Sequence, residues 1–153
     1  MATQLFPDFH VIIVPGLHDS SPEHWQSRWQ RRHAELSRVR QDDWDHPQLT
    51  AWAARLDQVR SSDPRPALLV AHSFGCLTAA HSIARNGHNV AGALLVAPAD
   101  PDKFGVADLL PALPLPCPSI LVAGANDAWM RAASAVLHRL ADMAHNGPLV
   151  VSA

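Results

Sequence analysis

A serine hydroxyl can attack an acyl carbon only when it is exposed, sterically free and close to a base. The stretch Ala71-His72-Ser73-Phe74-Gly75 offers such a serine. The apolar run Ala67-Leu68-Leu69-Val70-Ala71 before it reads as a strand, and Phe74-Gly75-Cys76-Leu77-Thr78 after it reads as the start of a helix. A tight turn between the two would lift Ser73 clear of the backbone, provided small residues flank it where the chain passes its neighbours. Ala71 and Gly75 fill those positions, Ala71 being a mild departure from the full Gly-x-Ser-x-Gly pattern. The alternative is a serine that merely caps a helix.

Acyl transfer also needs donors for the developing oxyanion. The Phe74 N–H, at the start of the helix, is one candidate. The loop Pro15-Gly16-Leu17-His18 is expected to give the second from Leu17, because Gly16 lets the backbone approach a substrate closely. Gly16, His18 and Trp129 are the expected substrate contacts. Phe74, Trp129 and Leu109-Leu110-Pro111 could line an apolar pocket or serve only as core. Asp127, after the apolar run Ile120–Ala123, is placed as a loop carboxylate that could orient a base, or as a turn residue ahead of Trp129. Asp100 and Asp102 are the weaker alternatives.

The elements that must hold these residues follow from periodicity. Phe9–Val14 is a continuous apolar run ended by Pro15-Gly16, as expected of a strand buried on both faces. Ser21 and Pro22 are expected to open a helix that fades near His33, followed by a short strand at Val39–Asp42. Leu49, Trp52, Ala53, Leu56 and Val59 repeat at helical spacing within Gln48–Arg60. Phe74–Arg85 and Trp129–Ala144 read as helices, and Val90–Ala97, Ser119–Ala123 and Leu149–Val151 as strands, with an irregular loop over Pro98–Pro118. Strands alternating with helices predict a single α/β domain over 1–153, a doubly wound, mainly parallel sheet flanked by helices and lacking a lid domain.

Val14-Pro15-Gly16-Leu17 with Ser20, His24-Trp25-Gln26, Gln41-Asp42-Asp43-Trp44, Val70–Cys76, Ala93–Pro98 and Asn126-Asp127 together resemble the small serine hydrolases related to retinoblastoma-binding protein nine, a compact α/β-hydrolase family. The resemblance spans about residues 10 to 130. It implies Ser73 as nucleophile, Asp127 as triad acid, hydrolysis of small esters or amides through an acyl-enzyme, and no cofactor. Members of that family continue into a Gly-His loop that delivers the triad histidine, and then into a last helix. These residues end at Val150-Val151-Ser152-Ala153, so that histidine and helix are expected to be missing. His18, His24, His72, His138 and His145 are poor substitutes by position. The resulting alternative is a catalytically impaired module that binds a small molecule or a protein. A face near the last strands should then lack its helix, shielded by another chain in a homo-oligomer or bordered by a poorly ordered terminal strand.

Composition narrows the classes further. Hydrophobic residues at 48% and charged residues at 17% describe a globular chain. A formal charge of −2 gives no reason to expect nucleic acid, and the basic cluster Arg28–Arg40 reads as the wet face of a helix. No apolar run is long enough to span a bilayer, and the N-terminus lacks a signal-peptide pattern. Two cysteines without a CxxC pair suggest free thiols in a reducing cytoplasm. The histidines lack HExxH spacing, so no metal is expected.

Overall fold

The computed structural model describes residues 6–111, 115–123 and 149–152. Six strands form one parallel sheet: β1 (His10–Val14), β2 (Ser37–Arg38), β3 (Ala67–His72), β4 (Val90–Val96), β5 (Ser119–Ala123) and β6 (Leu149–Ser152). Their order is β2-β1-β3-β4-β5-β6. Among the described residues the helices are α1 (Trp25–Arg32), α2 (Leu49–Ser61) and α3 (Phe74–Arg85), with a short 3-10 turn at Ala107–Leu109. This is the doubly wound α/β architecture that the alternation of apolar runs predicts.

The strand order reverses at β1. The chain leaves β1 toward β2 on one side, then returns to place β3 on the other side. In open parallel sheets, ligands bind where such a reversal opens a crevice at the carboxyl ends of the strands. Here the loops after β1 and β3 border that crevice, and they hold Gly16, Leu17 and Ser73.

Alternation along the strands divides the core in two. Ile12, Val14, Leu69, Ala71, Leu95 and Leu121 face α2 and α3 in the larger cluster. Val11, Ile13, Leu36 and Val70 face the α1 side. On that second side Trp29, Leu36, Leu68, Val70, Leu94 and Ile120 border an apolar groove of about 510 Å³, which does not reach Ser73.

Two expected boundaries shift. Ser21 and Pro22 do not open α1. They begin a turn closed by the His24 N–H donating to the Ser21 carbonyl (3.0 Å), a role suited to proline's fixed φ. His24 then caps the helix, its Nδ1 accepting from the Gln26 amide at 3.2 Å. The second strand lies at Ser37–Arg38, pairing with Ile12 and Ile13, and beyond it only Val39 keeps a bond to β1, through the Ile13 carbonyl. The next residues turn outward, where exposed Asp42 meets Arg55.

Both cysteines are buried and unpaired. Among the described residues, no helix is long and apolar enough to cross a membrane, and no cluster of His, Cys, Asp or Glu could hold a metal ion.

Candidate active site

Ser73 sits between the last residue of β3 and the first of α3, with φ 55° and ψ −124°. A non-glycine residue there is strained by on the order of 1–3 kcal/mol and persists only where its surroundings hold it. The restraints are visible. The Ser73 amide donates to the Val96 carbonyl (3.1 Å), while its own carbonyl accepts from the amides of Cys76 (3.0 Å) and Ala99 (3.2 Å). These bonds tie the turn to the end of β4 and to the loop beyond it.

The small residues have measurable reasons. A Cβ on Gly75 would collide with the Val14 carbonyl oxygen and lie 2.7 Å from that of Pro15, so α3 can start this close to β1 only with glycine. A Cβ on Gly16 would lie 2.8 Å from both the His72 carbonyl oxygen and Ser73 Cβ, and 3.1 Å from the Phe74 nitrogen. The β1 loop therefore rests directly on the elbow.

Within that loop the His18 amide donates to the Trp44 carbonyl (2.9 Å) and the Asp19 amide to the Gly16 carbonyl (3.0 Å). The half-buried Leu17, between them, gives its amide to no backbone carbonyl among the described residues. The Phe74 ring is fully buried against Trp52 (5.1 Å between centroids) and Phe104 (4.9 Å), and Trp52 in turn meets Trp44 (5.4 Å). This side chain is core, so Phe74 can offer a substrate only its backbone.

Several of the described histidines have other engagements. His72 packs on His24 at 4.5 Å and on Trp25 at 6.3 Å, the direction that strand alternation predicts. His18 is exposed and its Nδ1 meets Asp45 at 2.8 Å. His81 meets the Leu109 carbonyl, His46 meets Asp43, and His10 meets Ser37 Oγ. None of these contacts is with Ser73. Burial, then the nearby Arg38 charge, lowers the His24 pKa and favours a neutral ring. Asp127, Trp129, His138 and His145 lie outside the described residues. Of the weaker carboxylates, Asp100 accepts from the Asp102 amide within its own loop.

One polar cluster escaped the sequence reading. Arg38, 13% exposed at its side chain, donates to Asp19 (2.5 Å), the Ser20 carbonyl (3.0 Å), Ser27 Oγ (2.9 Å) and Gln30 (3.2 Å). Gln26, fully buried, donates to the carbonyls of Val14 (3.2 Å) and Val70 (3.0 Å) and accepts from Ser20 Oγ (2.6 Å). Arg38 was expected on the wet face of a basic helix. It lies instead on β2, pointing inward. A hint was available in the polar run Asp19-Ser20 facing Gln26, which carried no assigned role.

A strained serine at a strand-to-helix turn, with a glycine loop resting on it, is the nucleophile-elbow arrangement. A serine hydrolase family model matches residues 11–146. The chain belongs to the serine hydrolase family. It is an enzyme of the α/β-hydrolase superfamily. A provisionally named YdeN-like hydrolase from Pectobacterium atrosepticum is similar at 34% identity, with a TM-score of 0.85 over 95% of this chain and 77% of that one. The ydeN gene product of B. subtilis shares 18% identity and a TM-score of 0.66, covering 93% of this chain and 84% of that one. A monoacylglycerol lipase from Paleococcus ferrophilus shares 12% identity and a TM-score of 0.67, over 95% and 83% of the two chains. These last two likenesses show the fold alone. No protein with a curated description matches.

Proposed function

We propose that this serine hydrolase cleaves small esters or amides through an acyl-enzyme on Ser73. The observation that carries the reading is the backbone of Ser73, at φ 55° and ψ −124° where β3 gives way to α3. Strain of this kind aims a hydroxyl outward at the head of a helix, where unpaired N–H groups favour negative charge.

The chemistry follows in two steps. Ser73 Oγ bonds to the acyl carbon as its proton passes to a base, and the carbonyl oxygen becomes an oxyanion held by the amides of Phe74 and Leu17. The carbonyl re-forms, the bond to the alcohol or amine breaks, and the leaving group departs with that proton. Water then attacks the acyl-enzyme, releasing the acid and restoring Ser73. Gly16 and His18 line the entrance from the β1 loop, with Trp129 as a further substrate contact. Asp127 is the carboxylate that orients the base. It follows β5, whose carboxyl end lies at the same end of the sheet as that of β3 because the strands are parallel. The resemblance to the hydrolases related to retinoblastoma-binding protein nine supports the same roles for Ser73 and Asp127.

The test is covalent labelling with a fluorophosphonate, followed by peptide mapping. We expect one phosphonyl group on the peptide containing Ser73, and none on Ser73→Ala. Equal labelling of both proteins would refute the assignment. Folded protein that takes no label would favour the impaired binding module.

A further inference from the structure

We propose that Asp19 and Arg38, braced by Ser20 and Gln26, are positioning residues that hold the β1 loop in register with the elbow; this rests on the oxyanion role given to Leu17 above.

The loop has reason to need holding. His18 and Asp19 both have positive φ, at 64° and 63°, a region that costs a non-glycine residue roughly 1–2 kcal/mol each. Two consecutive residues in that region will relax unless something outside the loop fixes them. Arg38 does so from the neighbouring strand. Its planar fork reaches the Asp19 carboxylate and the Ser20 carbonyl on one side, and Ser27 and Gln30 on α1 on the other. The Asp19 carboxylate also accepts from the Ser20 amide at 2.7 Å, closing a local ring around the strained pair.

Gln26 carries the restraint to the sheet. Its two donated bonds end on Val14, the last residue of β1, and on Val70 of β3. Those strands part company at the crevice, one leading to Leu17 and the other to Ser73. The same side chain accepts from Ser20 Oγ, so one buried amide ties both strand ends to the loop. The cluster touches neither Ser73 nor any group that would react. Its effect on chemistry comes only through the distance between the Leu17 and Phe74 amides.

Displacing a catalytic group by about 1 Å can cost on the order of 100-fold in rate. Asp19→Asn keeps a residue tolerant of positive φ and keeps an acceptor, but removes the charge. Arg38→Lys keeps the charge but cannot span four acceptors. For both we expect fluorophosphonate to label Ser73 about 10- to 100-fold more slowly, and kcat for a p-nitrophenyl ester to fall with KM little changed. Ser20→Ala should act in the same direction, more weakly. Amide hydrogen exchange supplies a readout free of activity: in Asp19→Asn the His18 and Asp19 amides should exchange at least about tenfold faster, while β1 and β3 keep their rates. Wild-type labelling rates in Asp19→Asn and Arg38→Lys would overturn the proposal while leaving the Ser73 reading intact. If the parent protein takes no label, the Ser73 reading fails and exchange alone decides; unchanged His18 and Asp19 amides then overturn the proposal too.

Discussion

Replacing Gly16 by alanine adds one methyl group at the point where the β1 loop meets the elbow. That methyl would lie 2.8 Å from the His72 carbonyl oxygen, 2.8 Å from Ser73 Cβ and 3.1 Å from the Phe74 nitrogen. Two of the three neighbours are backbone atoms, so no rotamer change can relieve the contact, and the loop must lift away. Overpacking of this kind typically costs about 1–3 kcal/mol of stability. A methyl beside the Phe74 amide also crowds the space an oxyanion would fill, and a lifted loop withdraws Leu17. Loss of one such donor costs about 3 kcal/mol of barrier, or roughly 10²–10³ in kcat. Gly105→Ala is the matched control: its φ of 65° makes alanine strained, yet beyond its two chain neighbours no atom of the described residues lies within 4 Å of the new methyl. Both variants should lose stability in urea, but only Gly16→Ala should lose acylation of Ser73, followed by fluorophosphonate labelling and ester turnover. Wild-type labelling in Gly16→Ala would refute the contact between loop and elbow as a determinant of catalysis.

Two further outcomes follow from burial. His10 is 3% exposed, its Nδ1 has no hydrogen-bond partner among the described residues, and desolvation lowers its pKa below 6.5, so the folded state holds it neutral. Stability should be complete above that value and decline as pH falls below it, because the unfolded chain takes up the proton first. His10→Gln should lessen the loss of urea midpoint between about pH 7 and about pH 5.5, and an identical loss would count against this account. Burial likewise raises both thiol pKa values, and Cys76 has no exposure at all. Neither cysteine should react with an aromatic disulfide reagent in the folded protein, and both should react in denaturant; rapid titration of a native thiol would contradict this.

Where a residue's immediate neighbours in sequence determine its conformation, the sequence was a sufficient guide. The bounds of α3 and β5 were legible because apolar runs meet abrupt punctuation: Ser73 at one helix end, Asn86-Gly87 at the other, and Pro118 before the strand. Ser73 was legible because the turn requires small residues whose spacing is fixed. The start of α1 was not, since Pro22 serves equally well in a turn and at a first helical position, and only the His24 ring settles the choice. β2 was misplaced because two residues carry no measurable periodicity. The joint role of Asp19, Gln26 and Arg38 is not legible for a different reason. They come from a loop, a helix and a strand, and only the folded chain brings them together.

The helix that begins at Phe74 is buried at ten successive positions, from Phe74 to Ile83. Nearly every side chain on it must satisfy the sheet, α2 or the loop after β4. This has a bearing on how such an enzyme can diverge. A change in α3 has almost no solvent-facing position in which to be neutral, and any accommodation shifts the serine at its head. The β1 loop is freer at one point, where exposed His18 faces outward, and so is the loop after β4, with Asp102, Lys103 and Asp108 on the surface. New substrate preferences can accumulate in those two loops while α3 stays nearly fixed, so variation and constraint occupy different segments tied to the same serine, the loop after β4 through the Ala99 amide.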